Sequence, residues 1–121
     1  PKSCKPTSPV SVLQIHGTID AVITYTGGYL FSSAYPSARK TIDLWGKLNE
    51  CGKKPYRVLP RLDLDSKLSG LETTVLRYKG CKTGANSELW TINKGKHSPE
   101  LSATFAKSVI NHLLTHPKKR V

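Results

Sequence analysis

The first apolar stretch of the chain is Val10 to Ile15, VSVLQI, apolar or β-branched at nearly every position. That density predicts a strand buried on both faces, as in a parallel sheet, rather than a half-exposed one. Gly17 ends it. Residues 18 to 35 carry Gly27-Gly28 and a spread of tyrosines and read as loop. The spacing then changes. Ala38, Ile42, Trp45 and Leu48 recur at helical intervals behind Pro36-Ser37, which predicts a helix opening there and ending near Asn49. Residues 53 to 71 alternate weakly and contain Pro60, as an edge strand followed by a loop would. Residues 72 to 79 and 88 to 93 read as strands. The Gly- and Asn-bearing turn between them predicts an antiparallel or locally paired unit.

The last periodic stretch predicts a second helix. Ser98 suits the N-cap, Pro99 the first helical position and Glu100 the first turn. Leu101, Phe105, Val109 and Leu113 then fall on one face, widened by Ala106, Ile110 and Leu114. His112 and His116 fall in its last turn, where a cation complements the helix dipole. Trp45 and Trp90 are expected in the core. Residues 1 to 9, with three prolines, read as an extended arm, and residues 116 to 121 as a basic tail. No internal repeat or second domain interrupts 1 to 121.

With 121 residues, one domain with a modest core is expected. No apolar run approaches the roughly 18 residues of a membrane span. The chain opens on Pro1 in a polar segment, as a processed piece or fragment would. Nineteen basic residues face eight acidic ones, a formal charge of +11. Such a charge raises nucleic acid as a partner, but no basic helix with interleaved aromatics and no RNP-like strand accompanies it. Three cysteines without CxxC spacing argue against zinc. Cys51 and Cys81 both lie in Gly-bearing turns and are the favoured pair. Cys4 is then free or paired outside the chain. A disulfide would place the protein in an oxidising compartment.

Candidate chemistry sits at two strand ends, the functional edge of an open α/β sheet. Asp20 follows the first strand. His97 follows the strand 88 to 93 and precedes the last helix, whose positive end would disfavour a protonated ring unless a carboxylate offset it. An acid and a histidine there make two members of a catalytic triad, the acid fixing the imidazole that serves as base. Taken singly, each has an ordinary reading: a turn or cap aspartate, and a surface histidine. His16, beside Gly17, reads as a structural histidine.

In order along the chain, these residues resemble a known family. PVSVLQIHGTID is similar to the α/β-hydrolase segment in which HGTxD delivers the triad acid. AVITYTGG, NECG, RYKGCKTGANSELWTI, NKGKHSPEL and TFAKSVINHLL then resemble successive segments of secreted serine esterases of the polyhydroxybutyrate depolymerase and feruloyl esterase-like family. The resemblance runs from about residue 9 to 115. It implies the C-terminal portion of an α/β-hydrolase sheet, about three to four strands with two main helices, incomplete without an N-terminal half. It implies Asp20 as triad acid, His97 as triad base and a Cys51–Cys81 disulfide. The implied reaction is ester hydrolysis through an acyl-enzyme, with no metal or other cofactor, in a secreted or periplasmic setting.

Two departures accompany the resemblance. No G-x-S-x-G nucleophile elbow occurs, and in the family order it would precede the acid. The loop before His97 reads Lys94-Gly-Lys96 where glycines are usual. The implied partners are the N-terminal half of the same hydrolase, or another copy of the chain, together with the ester substrate. Two other classes remain open: a non-catalytic remnant of the fold that binds an acidic polymer, and a basic nucleic-acid-binding domain.

Overall fold

A computed structural model describes residues 5–118. Cys4 and the Lys119-Arg120 part of the basic tail lie outside the described residues. The elements run β1 (Val12–Gly17), β2 (Gly28–Leu30), β3 (Ser33–Tyr35), α1 (Ala38–Leu48), β4 (Tyr56–Leu62), β5 (Thr73–Arg77), β6 (Ser87–Ile92) and α2 (Ala103–Thr115). The result is a mixed α/β domain. Four strands form one sheet in the order β1-β6-β5-β4, and β2 and β3 form a separate hairpin.

β1 runs parallel to β6, from Val12 opposite Ser87 to Gly17 opposite Ile92. β5 and β6 pair antiparallel, as the turn between them predicts. β4 is the far edge, its register shifting between Val58 and Leu62 around Pro60. β6 is buried at all six positions. β1 is not: five of its six residues are only half-buried. The expectation of a strand covered on both faces is corrected here, because β1 lies at an edge with no strand beyond it among the described residues.

The helices cover opposite faces. On one, Ala38 and Ile42 of α1 pack on Leu89, with Val12, Tyr25, Trp45 and Leu76 around them. Ser37 caps α1, its Oγ accepting from Lys40 N at 3.1 Å. At the other end of α1, buried Asn49 pins the start of the sheet. Its Nδ2 donates to Val10 O and Ser87 Oγ, and its Oδ1 accepts from Val10 N. On the opposite face, Phe105 and Val109 of α2 pack against Trp90, Ile92, Val75 and Leu64.

α2 departs from its expected limits. It starts at Ala103, not behind Ser98, because residues 100 to 102 are engaged by the loop before β5. Leu101 pairs with Asp65, Ser66 N donates to Glu100 O, and Ser102 N donates to Leu64 O. Its buried face is also rotated. Leu113 and Leu114 are exposed, whereas His112 is buried at 5%. The polar ring is accommodated by buried Glu88, whose Oε2 lies 3.9 Å away, and by Trp90 edge-on at 5.7 Å. Glu88 itself accepts from Arg77 Nε and Trp90 Nε1, both at 2.6 Å, and from Asn86 Nδ2 at 3.0 Å.

The hairpin β2–β3 was not expected in what reads as loop. Its turn places Phe31 and Ser32 at positive φ, 46° and 66°. This is the twist of a type I′ turn, built without the usual Asn-Gly.

Candidate active site

Because β1 and β6 are parallel neighbours, the loops leaving Gly17 and Ile92 emerge side by side. Backbone contacts tie them together. Thr18 N donates to Ile92 O at 3.0 Å, Ile19 N to Gly95 O at 3.0 Å, and Lys94 N to Thr18 Oγ1 at 2.8 Å. Gly17 is required by this closeness: a Cβ there would stand 2.2 Å from Gly95 O. Gly95 is held equally tightly, since its Cβ would lie 2.5 Å from Ile92 Cγ2. Lys94 adopts a left-handed φ of 65°.

The two loops bring Asp20 and His97 together. His97 Nδ1 donates to Asp20 Oδ2 at 3.0 Å. The Asp20 side chain is 6% exposed and that of His97 49%. Asp20 Oδ1 accepts from the amides of Val22 and Ile23, at 2.9 and 2.8 Å. One carboxylate oxygen is thus fixed by backbone and the other faces the imidazole. Burial pushes the Asp20 carboxyl up. The His97 hydrogen bond and the Ile23 and Val22 amides outweigh it and bring the pKa down to about 2. Asp20 is therefore ionised at neutral pH. With its Nδ1–H given to that carboxylate, a neutral His97 ring carries its lone pair on Nε2.

His16 belongs to the same cluster, which its reading as a purely structural residue did not anticipate. Its Nε2–H donates to Ile23 O at 2.7 Å and lies 3.3 Å from Asp20 Oδ2. Asp20 Oδ2 thus faces two imidazoles. The signal for this was the i,i+4 spacing of His16 and Asp20, but the contact depends on the 18–23 loop curling back, which no local pattern announces.

His97 does not directly precede a helix, contrary to expectation: five residues separate it from the first residue of α2. Ser98 is exposed and is not the cap. Among the described residues, no hydrogen bond links Ser98 to the His97 ring, and no group of three or more His, Cys, Asp or Glu is placed to hold a metal ion. A hollow of about 360 Å³ opens beside the pair, walled by Ile15, Ile23, Ile92, Pro99 and Phe105, with Lys96 also on its lining.

Cys51 and Cys81 are joined by a disulfide. It lies where α1 ends and β5 gives way to the turn before β6. No helix among the described residues is long and apolar enough to cross a membrane.

The chain is similar to a curated protein of Piromyces equi, feruloyl esterase B, with 29% identity over 100 residues. The match covers 78% of this chain and 17% of that protein, so the chain spans under a fifth of the relative's length. No protein-family model matches the chain, and no solved structure matches it.

Proposed function

We propose that this chain supplies the acid and base of a serine ester hydrolase, as the C-terminal part of an α/β-hydrolase domain. The carrying observation is the 3.0 Å contact from His97 Nδ1 to buried, ionised Asp20. It leaves Nε2 as the basic atom on a half-exposed ring beside an open hollow. The similarity to a feruloyl esterase supports an ester as substrate, with a feruloyl ester the first to try.

In this reading the nucleophile is a serine from a part of the protein outside this sequence. His97 Nε2 takes the proton from the serine Oγ as the oxygen attacks the ester carbonyl carbon. The imidazolium gives that proton to the departing alkoxide, leaving the acyl-enzyme. A water, deprotonated by the same nitrogen, then releases the acid and restores the serine. Asp20 holds the ring in the productive tautomer and stabilises the imidazolium in both halves. The serine-bearing part docks along β1, the half-buried strand whose outer edge has no neighbour among the described residues. The disulfide supports an extracellular setting.

The test joins the chain to its upstream coding sequence and measures hydrolysis of p-nitrophenyl esters. Hydrolysis that vanishes in His97→Ala supports the assignment. An inert reconstituted protein that still binds ligand would identify a non-catalytic remnant instead.

A further inference from the structure

The charge of the chain is distributed unevenly. Asp20, Asp65, Glu72 and Glu88 are buried, and Asp43, Glu50 and Glu100 are ion-paired. These are seven of the eight carboxylates in the sequence. Most of the excess positive charge is therefore a property of the surface.

One end of the domain concentrates it. The stretches 47–57 and 79–84 hold six cations and one acid. The six are Lys47, Lys53, Lys54, Arg57, Lys79 and Lys82, and all are exposed. The acid, Glu50, is paired with Lys82 at 3.0 Å.

The fold holds the two stretches against each other. The Cys51–Cys81 disulfide joins them. Gly52 N donates to Lys79 O and Lys82 N to Asn49 O, both at 2.8 Å. Tyr56 pairs with Arg77 across the strands, and Lys79 Nζ sits 4.2 Å over the Tyr56 ring. Like charges gathered in this way repel one another, and an anion would relieve that repulsion. The cap lies away from the candidate dyad. Asn49 binds Ser87, the first residue of β6, whereas the loop bearing His97 leaves from the last, Ile92.

We propose that this disulfide-stapled cationic cap binds a carboxylated polysaccharide, a linear polymer with an acid group on its sugars. Two observations favour such a polymer over nucleic acid. The staple belongs to an oxidising compartment. One face of the Tyr56 ring, the aromatic within the cap, is occupied by Lys79 rather than offered to a stacked base. The cap makes no use of the dyad, so the inference stands or falls separately from the proposed hydrolysis.

The experiment measures binding of the full chain to polygalacturonate, with dextran as the neutral control and duplex DNA as the competing polyanion. Binding to polygalacturonate that weakens linearly with the logarithm of salt is expected. The triple variant Lys53→Glu, Lys54→Glu, Lys79→Glu should lose affinity by about tenfold or more and show a shallower salt slope. The charge-matched variant Lys40→Glu, Arg61→Glu, Lys107→Glu, at exposed positions outside the cap, should keep most of it. Circular dichroism confirms that both variants are folded. Equal losses in the two variants would reduce the effect to net charge and overturn the proposal. Absence of binding to polygalacturonate overturns it too, and tighter binding to DNA at equal anion concentration would assign the cap to nucleic acid.

Discussion

Gly17 and Gly95 lie so close that a methyl group on Gly17 would stand 2.2 Å from the Gly95 carbonyl oxygen. This approach of two backbones joins the loop that carries Asp20 to the loop that carries His97. Gly17→Ala should therefore force the loops apart. Overpacking typically costs about 1–3 kcal/mol, and rigid backbone places this site at the upper end. A lowered thermal midpoint by circular dichroism is the expected result, together with a weakened His97–Asp20 hydrogen bond by NMR. An unchanged midpoint would mean that the loops are looser than described.

His16 shares Asp20 Oδ2 with His97, and its own hydrogen bond to Ile23 O fixes it in place. It touches no reacting atom in the proposed mechanism and acts by positioning the carboxylate. His16→Ala in the reconstituted enzyme should lower kcat by about tenfold, on the order of 1.4 kcal/mol of transition-state stabilisation. KM should stay near its original value. A rise in KM with kcat unchanged would instead place His16 in substrate binding.

Acid should destabilise the fold in two steps with different origins. His112 is buried with its pKa lowered, first by burial, opposed by Glu88, and further by His116 and Arg77. The unfolded chain therefore takes up a proton near pH 6.5 that the folded one resists, so stability falls as pH drops below about 6.5. Asp20, held at about 2, adds stability above its unfolded pKa of about 3.9 and loses it as pH falls toward 2. Urea unfolding across pH should show both limbs. His112→Phe should flatten the upper one and Asp20→Asn the lower one.

The Cys51–Cys81 disulfide closes a loop with a sequence separation of 30. In the chain-entropy account, such a loop contributes about 3–4 kcal/mol by restricting the unfolded state. The Cys51→Ala, Cys81→Ala variant should lose stability on that order, measured by denaturant midpoint. A loss well below 1 kcal/mol would show that native hydrogen bonds such as Gly52 N to Lys79 O already hold the two stretches.

Much of this arrangement was legible in the sequence. α1 was readable at both ends, because Ser37 and the Ala38-Ile42-Trp45 spacing carry local signals that its packing does not override. The antiparallel β5–β6 pair was readable from its turn. The start of α2 was misread for a physical reason. Ser98-Pro99-Glu100 is a good local helix opening, but the backbone of residues 100 to 102 pairs instead with residues 64 to 66. The hairpin β2–β3 was missed because Phe31-Ser32 is not a turn dipeptide of the usual kind. Sequence placed Asp20 and His97 at strand ends, but not their contact, which requires β1 and β6 to be parallel neighbours. Nor could it place His112 inside, since the Glu88 network that receives the ring is assembled from β5, β6 and α2.

The central claim is that Asp20 holds His97 as a base, and replacing the acid without altering its shape tests it most directly. In the reconstituted enzyme, kcat for p-nitrophenyl ester hydrolysis should fall in Asp20→Asn by on the order of 10⁴-fold, since the amide favours the wrong imidazole tautomer. The thermal midpoint at neutral pH should confirm a folded variant. A folded Asp20→Asn enzyme that retains kcat within a few-fold of the original would contradict the dyad.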